Sequence, residues 1–278
     1  MRHMSDGDGL AAEALVFEAG VAARAAVAAR IADLPALRER PGPPAGRAIP
    51  PRFLRYSDEQ TVVGLAAVLR AMDELPLQDT QFDNWGVLAA PQFPGRVVGA
   101  GAFRRFARDG AATVSPHIIP HNSLHSLAGA VSVALGLHGP NFGVGGGPQA
   151  LAEGLTAALT FLDNGVSNGL WLVITGWDPE PVPDGAGSTA TDSVCYGLAM
   201  ALVPHSTAEG SVLRLTPGPR LAMTQFSEQP SRPCSLAQLI RSLGIDRDGP
   251  PAAKWSCRLP WGGQIEQYNT PLHSRKAA

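Results

Sequence analysis

The 278-residue chain is 45% hydrophobic and 17% charged, a balance that builds a packed globular core and excludes a disordered polymer. Its formal net charge of −2 provides no field to gather nucleic acid or an anionic membrane surface. Cys195, Cys234 and Cys257 have neither the number nor the spacing of a disulfide framework or a metal knuckle, and the opening MRHMSDGDGL lacks a signal-peptide core, so a cytoplasmic protein, neither exported nor membrane-inserted, is expected.

In chain order, Ala14-Leu15-Val16-Phe17 reads as a short strand before an alanine-rich helix carrying Val21, Val27, Ile31 and Leu34. The proline-rich run from Pro41 to Pro51 must be a loop, since proline removes donors and restricts the residue before it. Ser57 then caps a helix in which Val62, Leu65, Leu69 and Met72 recur at helical spacing. Trp85 to Ala90 reads as a buried strand. Ala102 to Arg108 reads as a short helix whose Arg104, Arg105 and Arg108 form either a solvated face or a docking patch for an acidic partner.

The stretch from Val114 to Asp178 organises the rest: an apolar helix, a Gly-Pro turn, a short strand, a glycine run opening a second helix, and a strongly apolar strand. Glycines between strand and helix allow a sharp turn and close approach of a ligand, to which the helix start presents unpaired N–H groups. The second helix spans Pro148 to Asn164, with Leu151, Leu155, Leu159 and Leu162 as its apolar stripe, proline in the tolerant first turn and Gly165 as the stop. Leu170 to Thr175 lacks polar alternation, as a strand covered on both faces should, and the strand–helix alternation implies a layered α/β domain.

Pro179 to Asp192 reads as a loop, and Val194 to Val203 and Ser211 to Leu215 as two antiparallel strands joined around Pro204 to Gly210. A helix from Ser235 to Leu243 and a hairpin in RLPWGGQIEQY follow. The domain reading is 1–220 for the main unit and 221–278 for an extension packed on it.

Two motifs invite chemistry and do not sustain it. His117, His121 and His125 are spaced by four, but Pro116 and Pro120 interrupt the helix that would align them, so no metal is expected. Gly143, Gly145 and Pro148 nearly form a GxGxxG loop, with Asp178 ending the next strand; proline replaces the third glycine, leaving dinucleotide binding by Gly143–Gly147 as a weak alternative and no cofactor as the expectation.

Ser115, Pro116, Pro120, Ala128-Gly129 opening AVSVALGL, Gly136-Leu137, Gly139-Pro140-Asn141 and the segment LWLVITGWD together resemble the N-terminal half of β-ketoacyl synthases, the condensing enzymes of the thiolase-like superfamily. The resemblance runs from about Ala14 to Leu215 and is similar in extent to the short, single-half proteins called chain-length factors. It implies a layered α/β/α half with a five-stranded mixed sheet around a central helix. In the family the residue nine positions after the glycine of the Gly-Pro pair is the cysteine that attacks an acyl thioester; here it is Pro148, or Gln149 after a one-residue slip, and neither can form an acyl-enzyme. The second half, with its two histidines and lysine, has no counterpart, since only His273 follows the closing strands.

The resemblance therefore implies a non-catalytic subunit that partners an active ketosynthase as a heterodimer, or itself as a homodimer, in fatty acid, polyketide or aryl polyene chain elongation. It further implies an acyl pocket or interface at His125, Gly145, Gly146, Gly147, Pro148 and Gln149, and acyl carrier protein docking on Arg104, Arg105 and Arg108. His125 departs from the Asn that many relatives carry there. The other alternative is a stand-alone acyl-thioester transferase or hydrolase; Ser188, Thr189 and Cys195 are its candidate nucleophiles, and no G-x-S-x-G elbow supports it.

Overall fold

The computed structural model describes residues 15–42, 49–50, 52–75, 82–116, 118–165, 167–181, 192–207, 210–218, 234–245 and 254–269. In chain order the elements are β1 (Phe17–Arg30), α1 (Leu34–Glu39), α2 (Glu59–Met72), β2 (Trp85–Pro91), α3 (Arg96–Asp109), α4 (Ile118–His121), α5 (Ser126–Leu135), β3 (Asn141–Gly143), α6 (Ala150–Asp163), β4 (Gly169–Asp178), β5 (Val194–Pro204), β6 (Ser211–Thr216), α7 (Leu236–Ser242), β7 (Lys254–Arg258) and β8 (Gln264–Asn269). The proline-rich run at 41–51 and the loop at 179–192 lie largely outside the described residues, as do His117, Ser188, Thr189 and His273.

One mixed sheet, in the order β3-β2-β4-β5-β1-β6-β8-β7, forms the middle layer. Its eight strands correct the expected five: β3, β2, β4, β5 and β1 make the anticipated sheet, and β6, β8 and β7 extend it past β1. Strands β2, β3 and β4 run parallel, and β5 is antiparallel to β4 and β1. Alternating side chains divide the core in two. Val87, Ala89, Trp171, Val173, Ala199 and Ala201 face α2 and α5, whereas Leu88, Ala90, Leu172, Ile174, Leu198 and Met200 face α6 and α7. Helices on both faces give the α/β/α layering. Leu155 and Leu159 are essentially inaccessible on α6, and each contributes about 2–3 kcal/mol of burial.

The alanine-rich segment is a strand, not a helix. Alanine has the highest helix propensity, but pairing along β5 from Ala19 opposite Pro204 to Arg30 opposite Val194 overrides it. Ala23, Ala25, Val27 and Ala29 pack in the α2 cluster, while Phe17, Ala19 and Val21 pack on the opposite cluster, because the register shifts between Val21 and Ala23 and reverses the alternation. Beyond Gly20 the outer edge of β1 is not paired with β6. There Arg70 Nη1 donates to Ala26 O at 2.9 Å and Glu74 Oε2 accepts from Arg24 N at 3.2 Å, side chains of α2 and the turn after it covering an edge another strand could occupy.

Other expectations need correction. β5 and β6 do not pair with each other; both are antiparallel to β1, which lies between them. α2 is capped by Asp58 rather than Ser57, whose carbonyl instead accepts from Arg38 at 2.6 Å. α3 is longer than expected, starting at Arg96 after a left-handed Gly95. α6 starts at Ala150, because the Ala150 N–H closes a turn onto Gly147 O at 3.2 Å across Pro148 and Gln149. Among the described residues no helix is long and apolar enough to cross a membrane.

Candidate functional site

The carboxyl ends of parallel β2, β3 and β4 open toward one side, where α6 begins; crevices of this kind are where α/β sheets bind ligands. After β3 the backbone continues beside β2: Val144 N donates to Ala89 O at 2.9 Å, Gly146 N to Pro91 O at 3.1 Å, and Phe93 N to Gly146 O at 3.3 Å. The glycine run follows from this course. A Cβ on Gly143 would stand 2.2 Å from Leu124 O, and Gly145 and Gly146 have φ of +84° and +86°, where glycine is favoured.

The loop entering α5 lies across the run, with Leu124 against Gly146 and the His125 imidazole over Gly129. His125 is exposed, Gly145 to Gly147 are half-buried, and Pro148 and Gln149 are exposed at the α6 start. Gln149 is the N-cap residue without a side-chain cap bond, and the Glu153 carboxylate lies against Gly145. The structure therefore brings Gly145, Gly146, Gly147, Pro148 and Gln149 to one helix entry, with the loop before His125 packed upon it.

None of the three cysteines is part of this entry. Cys195 is fully buried on β5, opposite Trp177 and Ala29, and burial followed by the charges of Asp58, Glu59 and Glu180 pushes its thiol well above the ordinary range. Cys234 and Cys257 belong to the α7 entry and β7. The helix entry can offer backbone donors to a carbonyl or an anion, but it presents no thiol nucleophile. His121 stacks obliquely on Tyr56 with ring centroids 5.9 Å apart, and among the described residues no group of three metal-ligating side chains converges.

Asp58, expected in the first turn of α2 rather than as its cap, and Gln60 fix the other wall. Asp58, 2% exposed, accepts from Thr61 N at 2.8 Å and from Gly95 N at 2.9 Å. Burial raises its carboxyl above the ordinary value, against the pull of those hydrogen bonds and of Arg38. Gln60 Nε2 donates to Gln92 O at 2.7 Å and Phe93 O at 3.2 Å, and its Oε1 accepts from Thr175 Oγ1 at 2.8 Å. The end of β2 is thus tied to both α2 and β4. Phe93 adopts φ +50° there, with the Arg96 guanidinium 4.4 Å from its ring centre. Asp58 at the cap and Gln60 in the first turn of α2 were the signal available, although no partner could be named from sequence.

Arg104, Arg105 and Arg108 do share the exposed half of α3, beside Phe103 and Phe106, which are 76% and 53% exposed. Arg108 is held by Asp109 at 2.7 Å. Arg105 borders a cavity of about 150 Å³ whose other walls are Tyr56, Val98, Ser115, Ile118 and Asn122.

No protein-family model and no curated protein sequence matches the chain. Solved structures do. A structure of the ketosynthase ApeO in complex with its chain length factor ApeC from Xenorhabdus doucetiae aligns over 91% of this chain and 96% of the matched chain, with 13% identity and a TM-score of 0.51. Alignments at lower scores are found with the type II polyketide ketosynthase complex AntDE:AntF (14% identity, TM-score 0.47) and the ishigamide ketosynthase/chain length factor (19%, 0.46). This chain spans 63% of the length of each of those two matched chains. The fold is that of a chain in the Xenorhabdus ketosynthase–chain length factor complex.

Proposed function

We propose that the protein is a non-catalytic ketosynthase-like subunit of the chain-length-factor type, pairing with an active ketosynthase, or with a second copy of itself, during elongation of a fatty acid or polyketide chain. What supports this reading is the α6 entry: by the sequence resemblance Pro148 or Gln149 takes the family's nucleophile position, and Cys195, Cys234 and Cys257 all lie elsewhere. The ketosynthase-like fold, seen in a complex between a ketosynthase and its chain length factor, supports the choice of partner.

In this reading His125, Gly145, Gly146, Gly147, Pro148 and Gln149 line the acyl pocket or the subunit interface. β3 forms one end of the sheet, and Ile119, Leu124 and Val133 leave apolar surface open at 74%, 36% and 70% exposure for a partner to cover. Arg104, Arg105 and Arg108 receive the acidic acyl carrier protein. Residues 1–220 form the ketosynthase-like unit, and 221–278 its extension.

Co-expression with an active ketosynthase should yield a stable complex by size exclusion and change the chain length of the product. A lone monomer that leaves condensation unaltered overturns the proposal. Incubation with acyl-carrier thioesters should leave the intact mass unchanged; an acyl adduct would instead favour the transferase reading.

A further inference from the structure

The cavity of about 150 Å³ between α3, the turn before α2 and the segment from Ser115 to Asn122 has about the size that accepts one benzene-sized molecule. Val98, Ala102 and Arg105 follow one another at four and three residues, so they share a face of α3, and Ala102 is the buried residue of that helix. Arg105 Nη1 lies 3.8 Å from where a Cβ on Gly101 would stand, so its guanidinium folds back along the helix. Among the described residues no ion pair or side-chain hydrogen bond engages it, whereas Arg108 is spent on Asp109. Tyr56 forms another wall, held by His121 with ring centroids 5.9 Å apart and by the Arg55 guanidinium 5.4 Å from its ring centre. Asn122 carries the unsatisfied group. Its Nδ2 donates to Ile118 O at 2.6 Å, which fixes the orientation of the amide because a carbonyl only accepts, and its Oδ1 is buried without a partner. A buried acceptor left unpaired is costly, and a donor on a ligand would satisfy it. A Cβ on Gly95 would stand 2.6 Å from the Asn122 Cβ, so Asn122 sits at the start of α3. The helix rise of about 1.5 Å per residue then separates it by roughly 9 Å along the axis from the guanidinium at the level of Gly101.

We propose that this cavity binds a small free carboxylic acid with a single apolar ring and a hydroxyl at the end opposite the carboxylate. Arg105 takes the carboxylate through paired N–H donors, Val98, Ile118 and Tyr56 cover the ring, and Asn122 Oδ1 accepts from the hydroxyl. The spacing selects this arrangement: a carboxylate and a hydroxyl on adjacent carbons are too close to reach both Arg105 and Asn122, whereas groups at opposite ends of a ring span them. Tyr56 and Arg105 are both exposed, so the acid enters from solvent without local unfolding. His125 and the residues from Gly145 to Gln149 are not part of the lining, and binding requires neither a ketosynthase nor a carrier protein. Arg105 also belongs to the patch proposed for the carrier, so the test uses the isolated chain and free acids.

Titration of the full-length protein with para-hydroxyphenylacetate, read by amide NMR and calorimetry, should give saturable shifts at Val98, Arg105, Ile118 and Asn122 and leave Gly145 to Gln149 unmoved. Phenylacetate, which lacks the hydroxyl, and para-hydroxyphenethyl alcohol, which lacks the carboxylate, should each bind about tenfold or more weakly. Arg105→Met should weaken the hydroxy acid by a similar factor and remove its advantage over the alcohol, while Arg104→Met, one position along the helix, should change neither. No saturable shift at these amides, shifts centred on the α6 entry, or an Arg105→Met protein that still prefers the acid overturns the proposal. These outcomes are independent of whether a ketosynthase co-purifies.

Discussion

The Asp58 carboxylate accepts the backbone N–H of Gly95 at 2.9 Å, from a position 37 residues earlier in the chain, while its other oxygen caps α2 through Thr61. One buried side chain therefore sets the start of two helices, and it positions the end of β2 beside the α6 entry. Asp58→Ala leaves both N–H groups without an acceptor. Losing the cap costs about 0.5–2 kcal/mol and leaving a buried donor unpaired about 1–3 kcal/mol, so a total of roughly 2–4 kcal/mol is expected from urea unfolding. Asp58→Asn retains one acceptor and should lose about half as much.

The same residue predicts a pH dependence. Its carboxyl is raised in the folded protein, chiefly by burial, so the folded state binds the proton more tightly than the unfolded state, whose value is near the ordinary 3.8. Its stabilising contribution is complete below that ordinary value and is lost as pH rises through the raised one. The stability difference between the unaltered protein and Asp58→Asn should thus decline with rising pH over that window and be level above it. A difference that instead grows with pH contradicts the assignment.

The extension of the sheet depends on a polar cluster that spans three strands. Glu18 on β1 accepts from Arg214 Nε and Tyr268 Oη, each at 2.6 Å, and lies 3.4 Å from His205. Burial pushes the Glu18 carboxyl up, but the Tyr268 and Arg214 hydrogen bonds and the positive charges outweigh it and hold it below the ordinary value. The contribution is present above that ordinary value and lost as pH falls through the depressed one. Tyr268→Phe should cost about 1 kcal/mol, and its coupling to Glu18→Gln in a double-mutant cycle should fade in acid. Hydrogen exchange should show β8 loosening before β4.

Gly143→Ala tests the close crossing at the helix entry. Its Cβ would lie 2.2 Å from Leu124 O, a backbone atom that cannot swing aside. Overpacking of about 1–3 kcal/mol is expected in thermal or urea unfolding. Gly147→Ala, with nothing within 4 Å of the added carbon, should be far milder, and equal losses would mean that the two segments are not in contact.

Val133→Arg separates folding from assembly. Val133 is 70% exposed on α5, so the substitution should change the stability of the isolated chain by less than about 0.5 kcal/mol. Under the proposed function it should nevertheless abolish co-purification with the ketosynthase. Retained binding would move the partner to another face.

Much of this architecture was legible where one physical signal dominated. The unbroken apolar run of β4 required cover on both faces, the leucine stripe of α6 marked a helix packed on a sheet, and the paired glycines after Trp261 announced the β7–β8 hairpin. β1 was misread because alanine suits a helix and a tightly covered strand alike, and the register shift at Val21 erased the alternation that would have decided between them. At the candidate site the glycine run announced a close backbone crossing without saying what crosses it. The loop at Leu124 supplies the answer, and like the Asp58–Gly95 bond it is a long-range contact that local patterns do not encode.

The short terminal strand β3 has a further consequence for assembly. Three residues of ladder at that border, with Arg70 and Glu74 hooding the open part of β1, leave the sheet few places at which to accept another strand. Pairing through β3 about a two-fold axis would occupy the same border on both molecules at once. Such a contact closes upon itself and ends at two chains, whereas a head-to-tail arrangement would propagate into fibres.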